Sequence, residues 1–246
     1  MIGLLPPSLK VRSLEPELMD DLGSDSVMLE STLKQFSLIN PLFSGSERLI
    51  RRYLIKHMRQ NPKEVITILD IGAGGGDITR SIADTCAKEG IKIEIHALDP
   101  DKRAVDYALR NSGGYSNIKI IQGDIKEYTG YKDLFDYTFA NHFLHHIDEA
   151  SVREVMKTIS DISRCGFLVN DIKRSRAAYY LFTLVSSLMF RNSFAAYDGK
   201  LSIKKGFTEE ELKRITEDIS GKEVSVSSTL PWRVFCYWLN NQDSSR

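Results

Sequence analysis

The 246-residue sequence has only three cysteines, Cys86, Cys165 and Cys236, spaced too widely for a CxxC pair or a Cys/His ligand set. That scarcity speaks for reduced thiols of a cytoplasmic protein and against a disulfide framework or a zinc site. An excess of one charge is missing too: 33 basic residues balance 33 acidic ones. Nucleic-acid binding draws on surplus Lys and Arg against phosphate, so no nucleic-acid partner is expected. The most apolar run, Ala177–Phe190, is fourteen residues long and too short to cross a bilayer. The N-terminus shows no basic start followed by a long apolar stretch, so no signal peptide is expected. Repeats and low-complexity tracts are absent as well. A soluble chain with at most peripheral membrane contact is the expectation.

What is present falls into three stretches. Residues 1–30 carry Pro6, Pro7, Pro16 and several acids, which predicts an irregular arm with one short helix. From Ser31 to Met58 the apolar spacing is helical, with a break expected at Asn40-Pro41, where proline disfavours helix in the residue before it. The centre then alternates strand and helix patterns. Strands are predicted at 65–71, 92–98, 117–122, 134–140 and 166–170, with helices at 77–88, 101–111 and 149–163 between them. That rhythm implies βαβ units and a parallel, doubly wound sheet. Helices are further expected at 176–190 and at 208–219, the second opened by a Thr208/Glu211 capping box. Two closing strands, 224–228 and 232–239, read as a hairpin near Pro231 and bring the total to seven.

Four signals carry the chemistry, and all lie at the carboxyl ends of predicted strands, where open α/β sheets bind ligands. The first is the turn Asp70-Ile71-Gly72-Ala73-Gly74-Gly75-Gly76-Asp77. Its glycines let a ligand approach the backbone, yet it lacks the lysine of a phosphate-binding loop and is bounded by acids. Such a turn repels pyrophosphate and suits the ammonium of an amino acid or a sulfonium. The second is Asp99-Pro100, an acid placed to accept hydrogen bonds from ribose hydroxyls. The third is Gly123-Asp124-Ile125, where the acid can meet an exocyclic amine and Ile125 can pack on a base. The fourth is the segment Asn141-His142-Phe143-Leu144-His145-His146.

In order and spacing these segments resemble the motifs of class I S-adenosylmethionine-dependent methyltransferases. The resemblance covers roughly residues 60–170. It implies an α/β, doubly wound Rossmann-like seven-stranded sheet whose last strand is antiparallel, and S-adenosylmethionine as cofactor with S-adenosylhomocysteine as product. By that match Asp70, Gly72, Gly74, Gly76 and Asp77 form the methionine side, Asp99 and Pro100 the ribose side, and Gly123, Asp124 and Ile125 the adenine side. Asn141 and His142 complete the cofactor set. The short segments 16–21, 171–176, 206–208 and 231–233 further resemble a bacterial subgroup associated with type III polyketide synthases, which methylates phenolic lipids and alkylpyrones.

The acceptor is therefore expected to be a lipophilic phenol, quinol or pyrone whose hydroxyl is methylated. A base of near-neutral pKa suits that reaction. His146, His142 and His145 are the candidates, with His146 placed first; His57 and His96 read as structural. His145 and His146 are adjacent, and only Glu149 stands at helical ligand spacing from them, so no metal site is expected. Residues 1–60 are expected to form an arm and helical lid on a domain spanning 61–246, with 172–206 an acceptor-side insertion. The 177–190 helix reads either as buried core or as part of an acceptor channel. A macromolecular (RNA or protein) methyltransferase is the main competing reading, although the Asn141–Leu144 run lacks the prolines of base-methylating enzymes. A non-catalytic binder of the cofactor and an NAD-dependent oxidoreductase are the others.

Overall fold

The computed structural model describes residues 9–217 and 219–240, so Pro6 and Pro7 lie outside the described residues. The chain runs α1 (Ser26–Phe43), α2 (Ser46–Leu49), a π-helical turn (Ile50–Ile55) and α3 (Lys56–Gln60). Then follow β1 (Ile66–Ile71), α4 (Asp77–Lys88), β2 (Ile93–Asp99), α5 (Lys102–Asn111), β3 (Ile118–Gln122) and β4 (Phe135–Asn141). It closes with α6 (Val152–Ile162), β5 (Ser163–Ile172), α7 (Arg176–Met189), α8 (Ala195–Lys205), α9 (Glu209–Thr216), β6 (Ser225–Thr229) and β7 (Arg233–Leu239).

Seven strands form one sheet in the order β3-β2-β1-β4-β5-β7-β6. Strands β1 to β5 pair in parallel, while β7 runs antiparallel to both of its neighbours. The expected doubly wound sheet with a reversed last strand is thus observed. Its core follows from the alternation of side chains along a strand. In β1, Ile66 and Ile68 enter a cluster with Leu54, Met58 and Ile82, whereas Leu69 and Ile71 enter another with Met156, Ile159 and Leu212. Helices cover both faces, so the β1 and β4 strands are buried almost throughout.

The sequence expectation needs correction at both ends of this frame. Helix α1 begins at Ser26, where Asp25 caps it by accepting from the Val27 and Met28 amides. It also continues through Pro41, and the chain bends only at Gly45, which adopts φ +63°. Pro41 sits in the last turn, two residues before the helix ends at Phe43, so it removes one amide donor without breaking the turns before it. Residues 46–60 are not lid: Leu49, Leu54 and Met58 are buried under the sheet with β1 and β4. Helix α8 has no counterpart in the expectation. It packs against α7 at Gly199, where a Cβ would lie 2.2 Å from the Phe182 ring.

His57 is structural, as expected. Its Nδ1 pairs with the buried Tyr137 hydroxyl at 2.7 Å and its Nε2 with the Asn240 carbonyl at 3.1 Å. Tyr137→Phe strands a buried nitrogen, at a cost of about 1–3 kcal/mol. A fall in Tm of roughly 2–4 °C per kcal/mol is expected in thermal denaturation, with cofactor binding intact. An unchanged Tm means that His57 does not depend on that hydroxyl.

Candidate active site

The carboxyl ends of β1, β2, β3 and β4 open into one cavity of about 740 Å³. That lies within the range of small-molecule sites, roughly 300–1,000 Å³. Of the residues expected at the cofactor, Asp70, Gly72, Gly74, Asp77, Asp99, Pro100, Gly123, Asp124, Ile125, Asn141 and His142 all line it. Gly76 stands just behind, at φ +71°, as the residue preceding α4.

The glycine turn is held in shape by its neighbours. Gly72 has φ +67°, and a Cβ there would meet the Phe143 ring at 2.7 Å. Asp99 is the hub of the turn. Its Oδ2 accepts the Gly74 amide at 2.8 Å and its Oδ1 the Asp101 amide at 2.9 Å. Asp70 is buried and accepts the Thr79 hydroxyl at 2.6 Å. Burial, with Asp77 and Asp99 adding repulsion, pushes its carboxyl up to about 7. Burial likewise raises Asp99. A wall of acids whose charge is opposed in this way favours a cationic ligand and disfavours pyrophosphate. Asp124 caps the short helix after β3 by accepting the Lys126 amide, while Ile125 is buried beside it.

Above the turn lie α1 and α7. Leu29, Leu33, Phe36 and Ile39 of α1 face Leu181, Phe182, Val185 and Met189 of α7 across the cavity. Helix α7 is therefore a wall of the cavity and not buried core. Its Leu181 and Met189, like Phe43 of α1, are also 43–46% exposed, which makes an apolar rim at the mouth. Asn40 ties α1 to the turn by donating to Asp77 Oδ2 at 2.8 Å.

The three histidines meet different fates. His145 is buried, and Asp171 at the end of β5 takes both its backbone amide (3.0 Å) and its Nδ1 proton (2.7 Å). Against the cost of burial, His145 and then Arg233 hold the Asp171 carboxyl well below the usual range. An ionised Asp171 can only accept, so His145 meets it with Nδ1 as the donor, and Nε2 is the ring nitrogen turned away from it. His146 pairs through Nδ1 with Asp20 at 3.0 Å. Although burial opposes its charge, Glu17 and Asp20 outweigh that and hold it at about 9. His146 thus already carries its proton at neutral pH and has no lone pair to offer. That removes the reason for placing it first as a base. His142 is half-buried with φ +56°, and desolvation lowers its pKa well below the ordinary value.

Residues 68–166 match a family described as "Methyltransferase domain". A demethylmenaquinone methyltransferase of Bacillus licheniformis is 26% identical over 177 residues, 72% of this chain and 73% of that protein. An rRNA adenine N-6-methyltransferase, also of Bacillus licheniformis, is 27% identical over 157 residues, 63% of this chain and half of that protein. A crystal structure of a SAM-dependent methyltransferase from Aquifex aeolicus superposes with a TM-score of 0.60. It is 17% identical and covers 85% of this chain and 97% of that one. Over residues 68–166 this chain is thus similar to a methyltransferase domain, and its fold is that of a SAM-dependent methyltransferase.

Around that methyltransferase core the structure adds residues the motifs did not name as site residues. Glu17 and Asp20 reach the cavity from the N-terminal arm, and Arg233 from the start of β7. Both stretches were noted only as short segments resembling a subgroup; nothing in their spacing marks an inward-facing charge. Glu17, His145 and His146 have ligand atoms within 4.8 Å of one another, a set able to hold a metal ion among the described residues. The Lys205 ammonium, 3.4 Å from Glu17 Oε1, already supplies positive charge there.

The raised Asp70 carboxyl sets a pH dependence. Below about 7 it is protonated and neutral, and a cationic ligand loses its attraction. Affinity for S-adenosylhomocysteine, whose amino group stays charged, is expected to fall about tenfold per pH unit below that point. Calorimetric titration between pH 8 and pH 5 measures this, and Asp70→Asn should flatten the slope. A flat profile in the unsubstituted protein would show that Asp70 does not sense the ligand.

Proposed function

We propose that the protein is an S-adenosylmethionine-dependent O-methyltransferase acting on a lipophilic phenol, quinol or enol-pyrone hydroxyl. Asp70, Gly72, Gly74 and Asp77 would hold the amino-acid end of the donor, Asp99 the ribose, and Asp124 with Ile125 the adenine. The buried acids whose ionisation is opposed fit that cationic group. When bound, the donor supplies an activated methyl group to the acceptor oxygen and leaves as neutral S-adenosylhomocysteine.

The observation that carries the acceptor reading is the apolar chamber between α1 and α7 with the Asp171–His145 pair beside it. The chamber takes a greasy body and excludes water. His145 Nε2, 3.8 Å from Glu17 Oε1 and so outside hydrogen-bond reach of it, takes the hydroxyl proton. Asp171 orients the ring and stabilises the imidazolium that forms. The apolar rim of Phe43, Leu181 and Met189 offers an exit for an alkyl tail. The demethylmenaquinone relative, by its name, handles a quinone-type lipid, which agrees with this chamber. Net neutrality and the lack of prolines after Asn141 favour a small acceptor over the RNA of the other relative.

The test is S-adenosylhomocysteine formation with phenols and pyrones that differ only in alkyl-tail length. Turnover should rise with the tail. His145→Gln should lower kcat about 10²–10⁴-fold while S-adenosylhomocysteine binding stays unchanged. Turnover on short phenols alone removes the lipid tail from the reading. Methylation of RNA with none of these compounds turned over sinks it.

A further inference from the structure

Arg233 has no role in the reading so far, and its placement is costly. It is only 4% exposed, it lines the cavity, and its Nε and Nη2 have no hydrogen-bond partner. Among the described residues no carboxylate oxygen lies within ion-pairing distance of it. Its nearest acid, Asp171, spends its oxygens on the His145 ring, the His145 amide and the Ile172 amide. A buried guanidinium without partners costs several kcal/mol unless something completes it. Its surroundings repeat the pattern. His142, across the same end of the sheet, has a buried Nε2 with no partner. Both His142 and Trp232, the residue before Arg233, hold positive φ, at +56° and +45°. Non-glycine residues persist there only when the surroundings impose it, and such strain gathers at ligand sites. Arg233 also lies against the bend at Gly45, its Cγ 3.8 Å from where a Cβ of that glycine would stand.

We propose that Arg233, with His142 beside it, forms an oxyanion subsite that selects acceptors whose reacting oxygen is already an anion at neutral pH, such as an acidic enol. The inference rests on the methyltransferase reading above and narrows its acceptor. An oxygen that enters as an anion has no proton for His145 to take, so the base step applies to acceptors that enter as the neutral hydroxyl. Two forked N–H donors at the wall match an oxygen bearing full charge, and a dry cavity strengthens that match. The neutral His142 adds a donor without adding charge. An ordinary alkylphenol, ionising near 10 as tyrosine does, enters uncharged and gains little from the guanidinium. The apolar chamber then holds the tail of either acceptor equally, so selection falls to the headgroup.

The experiment compares an alkyl 4-hydroxy-2-pyrone with an alkylphenol of the same tail, on the full chain and on Arg233→Met. Equilibrium binding of each compound to the S-adenosylhomocysteine complex is measured beside turnover. The pyrone should bind the unsubstituted protein at least tenfold more tightly than the phenol. Arg233→Met should weaken pyrone binding about 100-fold and leave phenol binding within about threefold. Arg233→Lys should recover part of the loss. Because the guanidinium is unpaired, Arg233→Met should melt no lower than the parent, and its unchanged affinity for S-adenosylhomocysteine confirms its fold. Equal losses for both compounds, or failure of the pyrone to bind the unsubstituted protein, overturns the subsite. Arg233-dependent pyrone binding without turnover leaves the subsite standing and faults the O-methyltransferase reading instead.

Discussion

The contact on which the acceptor side depends is the double hydrogen bond from His145 to Asp171. A carboxylate with almost no solvent exposure at the end of β5 is expensive to ionise. It stays ionised because the His145 ring and amide both donate to it and Arg233 stands nearby. One charge thereby joins the end of β5 to the loop after β4. Loss of either partner leaves a buried charge unpaired, which costs more than the pair contributes. The same contact fixes the His145 ring in the cavity wall, so on the proposed reading folding stability and chemical readiness rest on one interaction.

The N-terminal arm closes that site by a second polar network. Asp198 of α8 accepts the amides of Leu18 and Met19, and Ser202 donates to Glu17. Arg12 lies over the Phe207 ring and donates to the Ile147 carbonyl, and Arg103 of α5 reaches the carbonyls of Met19, Asp21 and Ser24. Little of this is apolar packing. An arm held by backbone amides and charged pairs can leave and return without exposing a core, as a lid over a substrate must. His146 belongs to this network. It joins Asp20 of the arm to the loop after β4 as a cation, so its contribution holds below neutral pH and is lost as pH rises through about 9.

The sheet, and the convergence of the glycine turn and strand-end acids on one cavity, were legible in the sequence because their signals are local. Strand periodicity, the glycines at 72, 74 and 76, and acids at strand ends lie within a few residues of what they build. The same holds for the capping box at Thr208 and Glu211, which forms as read. The far wall of the cavity was not legible, because its groups converge from residues 17, 145, 171 and 233. No spacing rule links Asp171 to His145 across 26 residues, and the pairing exists only through strand order. His146 looked as good a base as His145 since adjacent residues share every local feature; only their partners differ. Helix α8 escaped because Asp198, Ser202 and Lys205 face the arm, which blurs its apolar stripe. Pro41 misled for a simpler reason: a proline near a helix end removes one donor and not the helix.

On the proposed reading, the two halves of the cavity have opposite electrostatic demands, and that division suits the reaction. The floor holds Asp70, Asp77 and Asp99, which crowd negative charge where a cationic donor belongs. The far wall holds an unpaired guanidinium where an anionic oxygen belongs, and apolar side chains of α1 and α7 fill the space between. Methyl transfer from a sulfonium to an oxyanion turns two charged reactants into two neutral products. Water stabilises the separated charges and so opposes that change, whereas a dry interior favours it. Each buried charge of the protein raises the cost of the empty site and is offset only when its counterpart arrives. The strain at His142 and Trp232 and the unsatisfied Arg233 fit this account, since a site optimised for its own stability would have paired or replaced them.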